Sequence, residues 1–275
     1  MPNQSSNSIR AVALVGHGAA GKTTLAESLL AAAGAITSRG TVEKGNTACD
    51  FDPLEKEVGH SLQSAIVSMQ WGGVTLHLID TPGYPDFAGP AIAALAGVDT
   101  ALIVVNAQTG IELCTERMFQ SAGERGLCRM IVINKIDADN TDLPALVNQI
   151  RDRFGKQCML LDLPAHHGQE VVELLGHHEG DSDFASVADA HRALIDQIVE
   201  EDETLLARYL EDGADPNLTE LHAPFEAALR AGHLIPTLFV SARTGAGIPQ
   251  LLDALAQLAP NPAEGNPPPF YKGET

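Results

Sequence analysis

The sequence predicts an α/β fold: a mostly parallel sheet with helices on both faces, plus a helical insertion. Three observations predict it. Short apolar runs alternate with segments of helical period, the pattern of strand–helix–strand units that build parallel sheets. A glycine-rich turn separates the first strand-like run from the first helix-like one. Finally, 104 positions separate Asp137 from Ser241, far more than one helix and one strand need.

Residues 11–15 read as a buried strand, and the helical spacing that starts at Thr24 runs to about Ala33. Residues 34–60 carry Gly40, Gly45, Pro53 and Gly59 with little periodicity, and read as a long functional or mobile loop. Two strands, 64–71 and 74–79, meet at Gly72-Gly73, a hairpin signal. A helix at 86–96, a strand at 101–105, a helix at 111–124, a strand at 129–133, a helix at 143–154 and a strand at 234–240 follow. The main domain is expected at 9–262, with its insertion at about 163–232. Residues 1–8 are expected as a disordered tail, and 263–275 as a Pro-rich linker to further domains. Within the insertion, Leu194, Ile195, Ile198 and Val199, then Leu205, Leu206, Tyr209 and Leu210, form a helical stripe. It should break near Glu200, with Asp202 capping a second helix.

Charge narrows the partners. Lys+Arg 17 against Asp+Glu 36 gives a net charge of −19, which repels nucleic acid phosphates, so this chain alone is expected to bind no nucleic acid. Residues 167–232 hold 16 of the 36 acids and 3 of the 17 bases, the composition of a solvated face. The four cysteines lack any C-x-x-C spacing and read as reduced thiols, which points to the cytoplasm. The polar start has no secretory core, and the most apolar run, 88–105, is broken by Asp99, so no membrane span is expected. A monomer is expected. His166-His167 and His177-His178 lack ligand spacing and read as solvated rather than metal-binding.

Four motifs carry chemistry. Gly16-His17-Gly18-Ala19-Ala20-Gly21-Lys22-Thr23, followed by Thr24, fits a phosphate loop between strand and helix. Its glycines let backbone N–H groups curl around phosphate oxygens, and the free N–H groups at the helix start add positive potential. Lys22 can bridge β- and γ-phosphates, and the Thr23 hydroxyl can hold Mg²⁺. Asp80-Thr81-Pro82-Gly83 follows a strand, where Asp80 can bind Mg²⁺ through water and the Gly83 N–H can sense a γ-phosphate. Asn134-Lys135-Ile136-Asp137 offers a carboxylate to the adjacent N1–H and N2–H₂ donors of guanine, a pair adenine lacks. Ser241-Ala242-Arg243 can bring a backbone N–H to guanine O6.

The order of these motifs is that of a phosphate-loop GTPase, and the details resemble elongation factor G. The resemblance rests on Gly16-His17 opening the loop and on Asp80-Thr81-Pro82-Gly83-Tyr84-Pro85-Asp86-Phe87. Asn134-Lys135-Ile136-Asp137 and Gly247-Ile248-Pro249-Gln250-Leu251-Leu252-Asp253, before a Pro-rich exit, extend it. It implies a translational GTPase that binds GTP/GDP and Mg²⁺ and acts on the ribosome through domains beyond this chain, the acidic insertion being a second ribosomal contact. It also implies catalytic duties for Lys22, Gly83 and the residue at position 84.

Three departures stand out. The family's catalytic histidine after D-T-P-G is Tyr84 here; a phenol titrates near about 10, so it is no base at neutral pH, though it could hydrogen-bond a water. The family's phosphate-loop Asp is Ala19. Gly59-His60-Ser61 replaces G-I-T, so Ser61 keeps a hydroxyl for Mg²⁺ without the stiffening methyl. Together they suggest an elongation-factor-G-like paralogue with slow intrinsic hydrolysis. The rivals are a ribosome-protection or recycling GTPase, and a GTP-dependent binding module whose hydrolysis is vestigial.

Overall fold

The computed structural model describes residues 5–212 and 215–265. The elements in order are β1 (Ile9–Gly16), α1 (Lys22–Ala32), α2 (Pro53–Val58), β2 (Ala65–Trp71), β3 (Val74–Asp80), α3 (Ala88–Ala94), β4 (Thr100–Asn106), α4 (Leu113–Glu124), β5 (Cys128–Asn134) and α5 (Leu143–Phe154). After them come β6 (Cys158–Leu160), β7 (Asp162–Ala165), β8 (Glu170–Glu173), α6 (Val187–Val199), α7 (Glu203–Asp212), α8 (Leu218–Ala231), β9 (Ile235–Val240) and α9 (Ile248–Gln257).

Seven strands form one sheet in the order β2-β3-β1-β4-β5-β9-β6. Every pairing in it is parallel except β2 with β3. That exception is the Gly72-Gly73 hairpin: Trp71 pairs with Val74, and both glycines take positive φ (54° and 83°), as a two-residue turn of primed type requires. Strands β4 and β9 are buried along their whole length, the unbroken apolar runs of a sheet covered on both faces. Leu25 and Leu29 of α1 are fully buried, each such side chain contributing about 1.5–3 kcal/mol. The parallel strands bring the loops after β1, β3, β5 and β9 to one edge of the sheet.

The structure adds elements that periodicity did not reveal. The seventh strand, β6, is three residues long and joins the edge beside β9. The stretch 34–60, read as a loop, contains α2, which starts with a capping box between Asp52 and Glu55 and Pro53 in its first turn. The described residues between β6 and β9 form the β7–β8 hairpin and three helices, α8 lying beyond the stripe that periodicity showed. The break after α6 falls where expected, and Asp202 Oδ1 accepts from the N–H groups of Thr204 and Leu205 at 2.9 and 3.0 Å. The helix expected at 86–96 is the shorter α3, flanked by 3-10 turns. Ser6–Ser8, within the expected tail, is a 3-10 turn capped by Ser5, whereas residues 1–4 and the linker beyond 265 lie outside the described residues. His166, His167, His177 and His178 are exposed. Among the described residues, no helix is long and apolar enough to cross a membrane.

Asp162 joins the insertion to the sheet. Its carboxylate is 1% exposed, and Oδ1 accepts from Phe239 N at 2.8 Å. Burial pushes the carboxyl well above the usual range despite that hydrogen bond. The folded state therefore holds this proton more tightly than the unfolded chain does. Stability from Asp162 is present below the unfolded value, near about 3.9, and is lost as pH rises through the folded one. Asp162→Asn cannot ionise, so the fall in urea midpoint from pH 5 to pH 8 is expected to be smaller in the variant than in the unsubstituted protein.

Candidate nucleotide site

A cavity of about 830 Å³ opens at the edge where the four loops meet. Its phosphate end is built on the β1–α1 turn. Gly18, Ala19, Gly21, Lys22, Thr23 and Thr24 line it, while Ala20 is buried behind the wall. Gly16 closes β1, and the His17 ring turns away to Glu112, Nε2 to Oε1 3.4 Å. Lys22 Nζ donates to the carbonyls of Gly16 (3.2 Å) and His17 (2.8 Å), which holds the ammonium inside the loop. Burial pulls its pKa down to about 8, opposed by the nearby Asp80.

Three oxygen-bearing side chains converge beside Lys22. Thr23 Oγ1 donates to Asp80 Oδ2 at 2.7 Å and lies 3.2 Å from Ser61 Oγ. Asp80 is 1% exposed, burial raises its pKa to about 6, and its Oδ1 is buried without a hydrogen-bond partner. A buried carboxylate oxygen with no donor, on a side chain linked through Thr23 to the Ser61 hydroxyl, belongs to a donor set that fits a hard divalent cation such as Mg²⁺. Thr81 Oγ1 donates to Leu14 O at 2.6 Å, which anchors the turn after β3 to β1. Gly83 is packed so closely that a Cβ there would lie 2.6 Å from Gly18 N. Tyr84 lies against Gly18, where an added Cβ would come 2.8 Å from its Cε1.

The other end is organised by one amide. Asn134, 1% exposed, donates from Nδ2 to Ala20 O at 3.0 Å, and its Oδ1 accepts from Ala242 N at 3.0 Å and Lys135 N at 2.8 Å. One side chain thereby ties the phosphate loop to the loops after β5 and β9. Lys135 Nζ adds a bond to Ala19 O at 2.9 Å. Asp137 faces the cavity and accepts from Arg243 through Nε (2.8 Å) and Nη2. Burial alone would raise its carboxyl, but hydrogen bonds from Ser241 and Arg243 outweigh it and hold the pKa below the ordinary value. Ser241 is fully buried, and Ala242 and Arg243 reach the cavity wall.

The model of the Elongation factor Tu GTP binding domain matches residues 7–261. The chain belongs to that family. A GTP-binding domain implies guanine nucleotide binding by this chain. An elongation factor G-like protein of Mycobacterium tuberculosis (strain CDC 1551 / Oshkosh) is 34% identical over 93% of this chain and 38% of its own length. Tetracycline resistance protein TetW of Butyrivibrio fibrisolvens is 31% identical over 90% of this chain and 36% of its own. A crystal structure from Thermus thermophilus superposes with a TM-score of 0.85 at 34% identity, covering 94% of this chain and 41% of that one. The chain thus spans less than half the length of these relatives.

Sequence motifs missed part of this GTP-binding domain's wall. Arg39, Gly40, Asp50 and His60, all from the segment read as a loop, line the cavity. Glu27 of α1 holds that segment down: 1% exposed, it accepts from Gly40 N at 2.8 Å and from Ala48 N. A Glu on the buried face of a helix was the signal available, since a buried carboxylate needs donors.

Proposed function

We propose that this chain is the GTP-binding and GTP-hydrolysing domain of an elongation-factor-G-like factor that acts on the ribosome. One observation carries the reading: a cavity with an ammonium and a hydroxyl–carboxylate cluster at one end and a carboxylate suited to guanine at the other. In this reading Lys22 leaves the Gly16 and His17 carbonyls for phosphate oxygens, and the Gly83 N–H faces the γ-phosphate. Thr23, Ser61 and Asp80 would hold Mg²⁺, which when bound neutralises charge on the β- and γ-phosphates. Asp137 holds guanine, and a backbone N–H of the Ser241-Ala242-Arg243 loop faces its O6. Tyr84, standing where the family carries a histidine, makes intrinsic hydrolysis slow.

The ribosome, the cytoplasm and a monomeric state belong to the same proposal, and the name of the elongation factor G-like relative supports a role in elongation. Competition binding should show GTP and GDP displacing a fluorescent guanine nucleotide while ATP does not. Single-turnover hydrolysis should be slow alone and faster with ribosomes. Tyr84 favours one second reading, a GTP-dependent binding module with vestigial hydrolysis. Tight GTP binding with no turnover on ribosomes would select it.

A further inference from the structure

Hydrolysis needs a group that holds the attacking water, and assigning one rests on the hydrolytic function proposed for this site. The carboxylates at the phosphate end have other duties: Asp50 accepts from Thr47 at 2.7 Å and from Ser61 at 3.2 Å, and Asp80 accepts from Thr23 through Oδ2 while its buried Oδ1 is assigned to the cation. His60 is placed differently. It lines the cavity, the one histidine to do so among the described residues, in the loop that also carries Ser61. Its ring centroid lies 4.7 Å from that of Tyr84 and 5.9 Å from that of Phe87, so two aromatic side chains restrain it. The ring's hydrogen bond among the described residues joins Nδ1 to the Ser61 carbonyl at 3.4 Å. A carbonyl only accepts, so this contact favours the Nδ1–H tautomer and leaves Nε2 with an open lone pair.

We propose that His60 orients the attacking water through Nε2, with Tyr84 as the surface that positions the imidazole. The imidazole then enters the site from the loop before Ser61 instead of from the position after Gly83. In the reaction the water oxygen bonds to Pγ as the bond from Pγ to the β–γ bridging oxygen breaks, and that electron pair leaves on GDP. The water proton hydrogen-bonded to Nε2 ends on the inorganic phosphate. His60 holds the water and is itself unchanged.

The test compares His60→Phe, which keeps an aromatic ring against Tyr84 and Phe87 but has no acceptor, with His60→Gln, which supplies an amide oxygen. Each is read by single-turnover GTP hydrolysis with ribosomes, by GDP affinity, and by affinity for GDP with aluminium fluoride, a mimic of the phosphoryl group in transfer. His60→Phe is expected to slow turnover on the order of tenfold to a hundredfold, to weaken the aluminium fluoride complex, and to leave GDP affinity unchanged. His60→Gln should recover a measurable part of both losses. Unchanged turnover in His60→Phe, or equal losses in both variants, overturns the proposal. Absence of turnover in the unsubstituted chain overturns the hydrolytic reading instead, so the two failures are distinguishable.

Discussion

Asp137→Asn is expected to weaken GTP binding by on the order of 1.5–3 kcal/mol, roughly ten- to a hundredfold, and to admit xanthosine triphosphate. The carboxylate is oriented before any base arrives, because Arg243 donates to Oδ2 through two nitrogens and Ser241 adds a further hydrogen bond. Those donors favour the ionised form, whose oxygens would act only as acceptors toward the adjacent N–H groups of guanine. An amide turns one acceptor into a donor and sets it against another donor. Xanthine carries a carbonyl in place of the guanine 2-amino group, so the same amide then finds an acceptor. Titrations with GTP, XTP and ATP measure this directly. GTP affinity equal to that of the unsubstituted chain would remove Asp137 from the base site.

Gly83→Ala is expected to slow GTP hydrolysis about a hundredfold while GDP binding changes little. The new Cβ would press on Lys22 Nζ, the end of a flexible side chain that can move, but also lie 2.6 Å from Gly18 N and from the His17 carbonyl carbon. Backbone cannot yield so cheaply, so the turn after β3 must shift away from the phosphate loop. A displacement of about 1 Å at a reacting centre costs on the order of a hundredfold. Asn134 holds the other end through Ala20 O and Ala242 N, not through a hydrogen bond to this turn, so the grip on the base should persist. Single-turnover rates beside GDP titrations separate the two effects, and a parallel loss of GDP affinity would show that the two ends are not independent.

How far the sequence could be read depended on what each segment's signal was made of. The parallel sheet was legible because β1, β4 and β5 are each built on an apolar run, the helices after β4 and β5 show a clear period, and a glycine-rich turn marks the start of α1. The loops after β1, β3, β5 and β9 were legible as motifs, because phosphate and guanine chemistry demands particular residue types at fixed spacing. Strand β6 was not, since three residues cannot show a period. Helix α2 was hidden by its six-residue length, although Asp52, Pro53 and Glu55 carry a helix-start signature. The contributions of Arg39, Asp50 and His60 to the cavity depend on contacts between segments distant in sequence, which no local pattern encodes.

Arg39 ties two timescales together. Its Nη2 donates to Ala242 O at 2.6 Å and Arg243 O at 3.0 Å, so the segment that carries Ser61 is strapped to the backbone that would face the base. By thermodynamic reciprocity, any ligand that holds this segment in place tightens the base pocket, and an occupied base pocket steadies the segment by the same factor. Were loss of the γ-phosphate to release the segment, the strap would leave with it. The residence time of GDP is then expected to be shorter than that of GTP, and dissociation rates of the two nucleotides in Arg39→Ala would check that the arginine sets the difference.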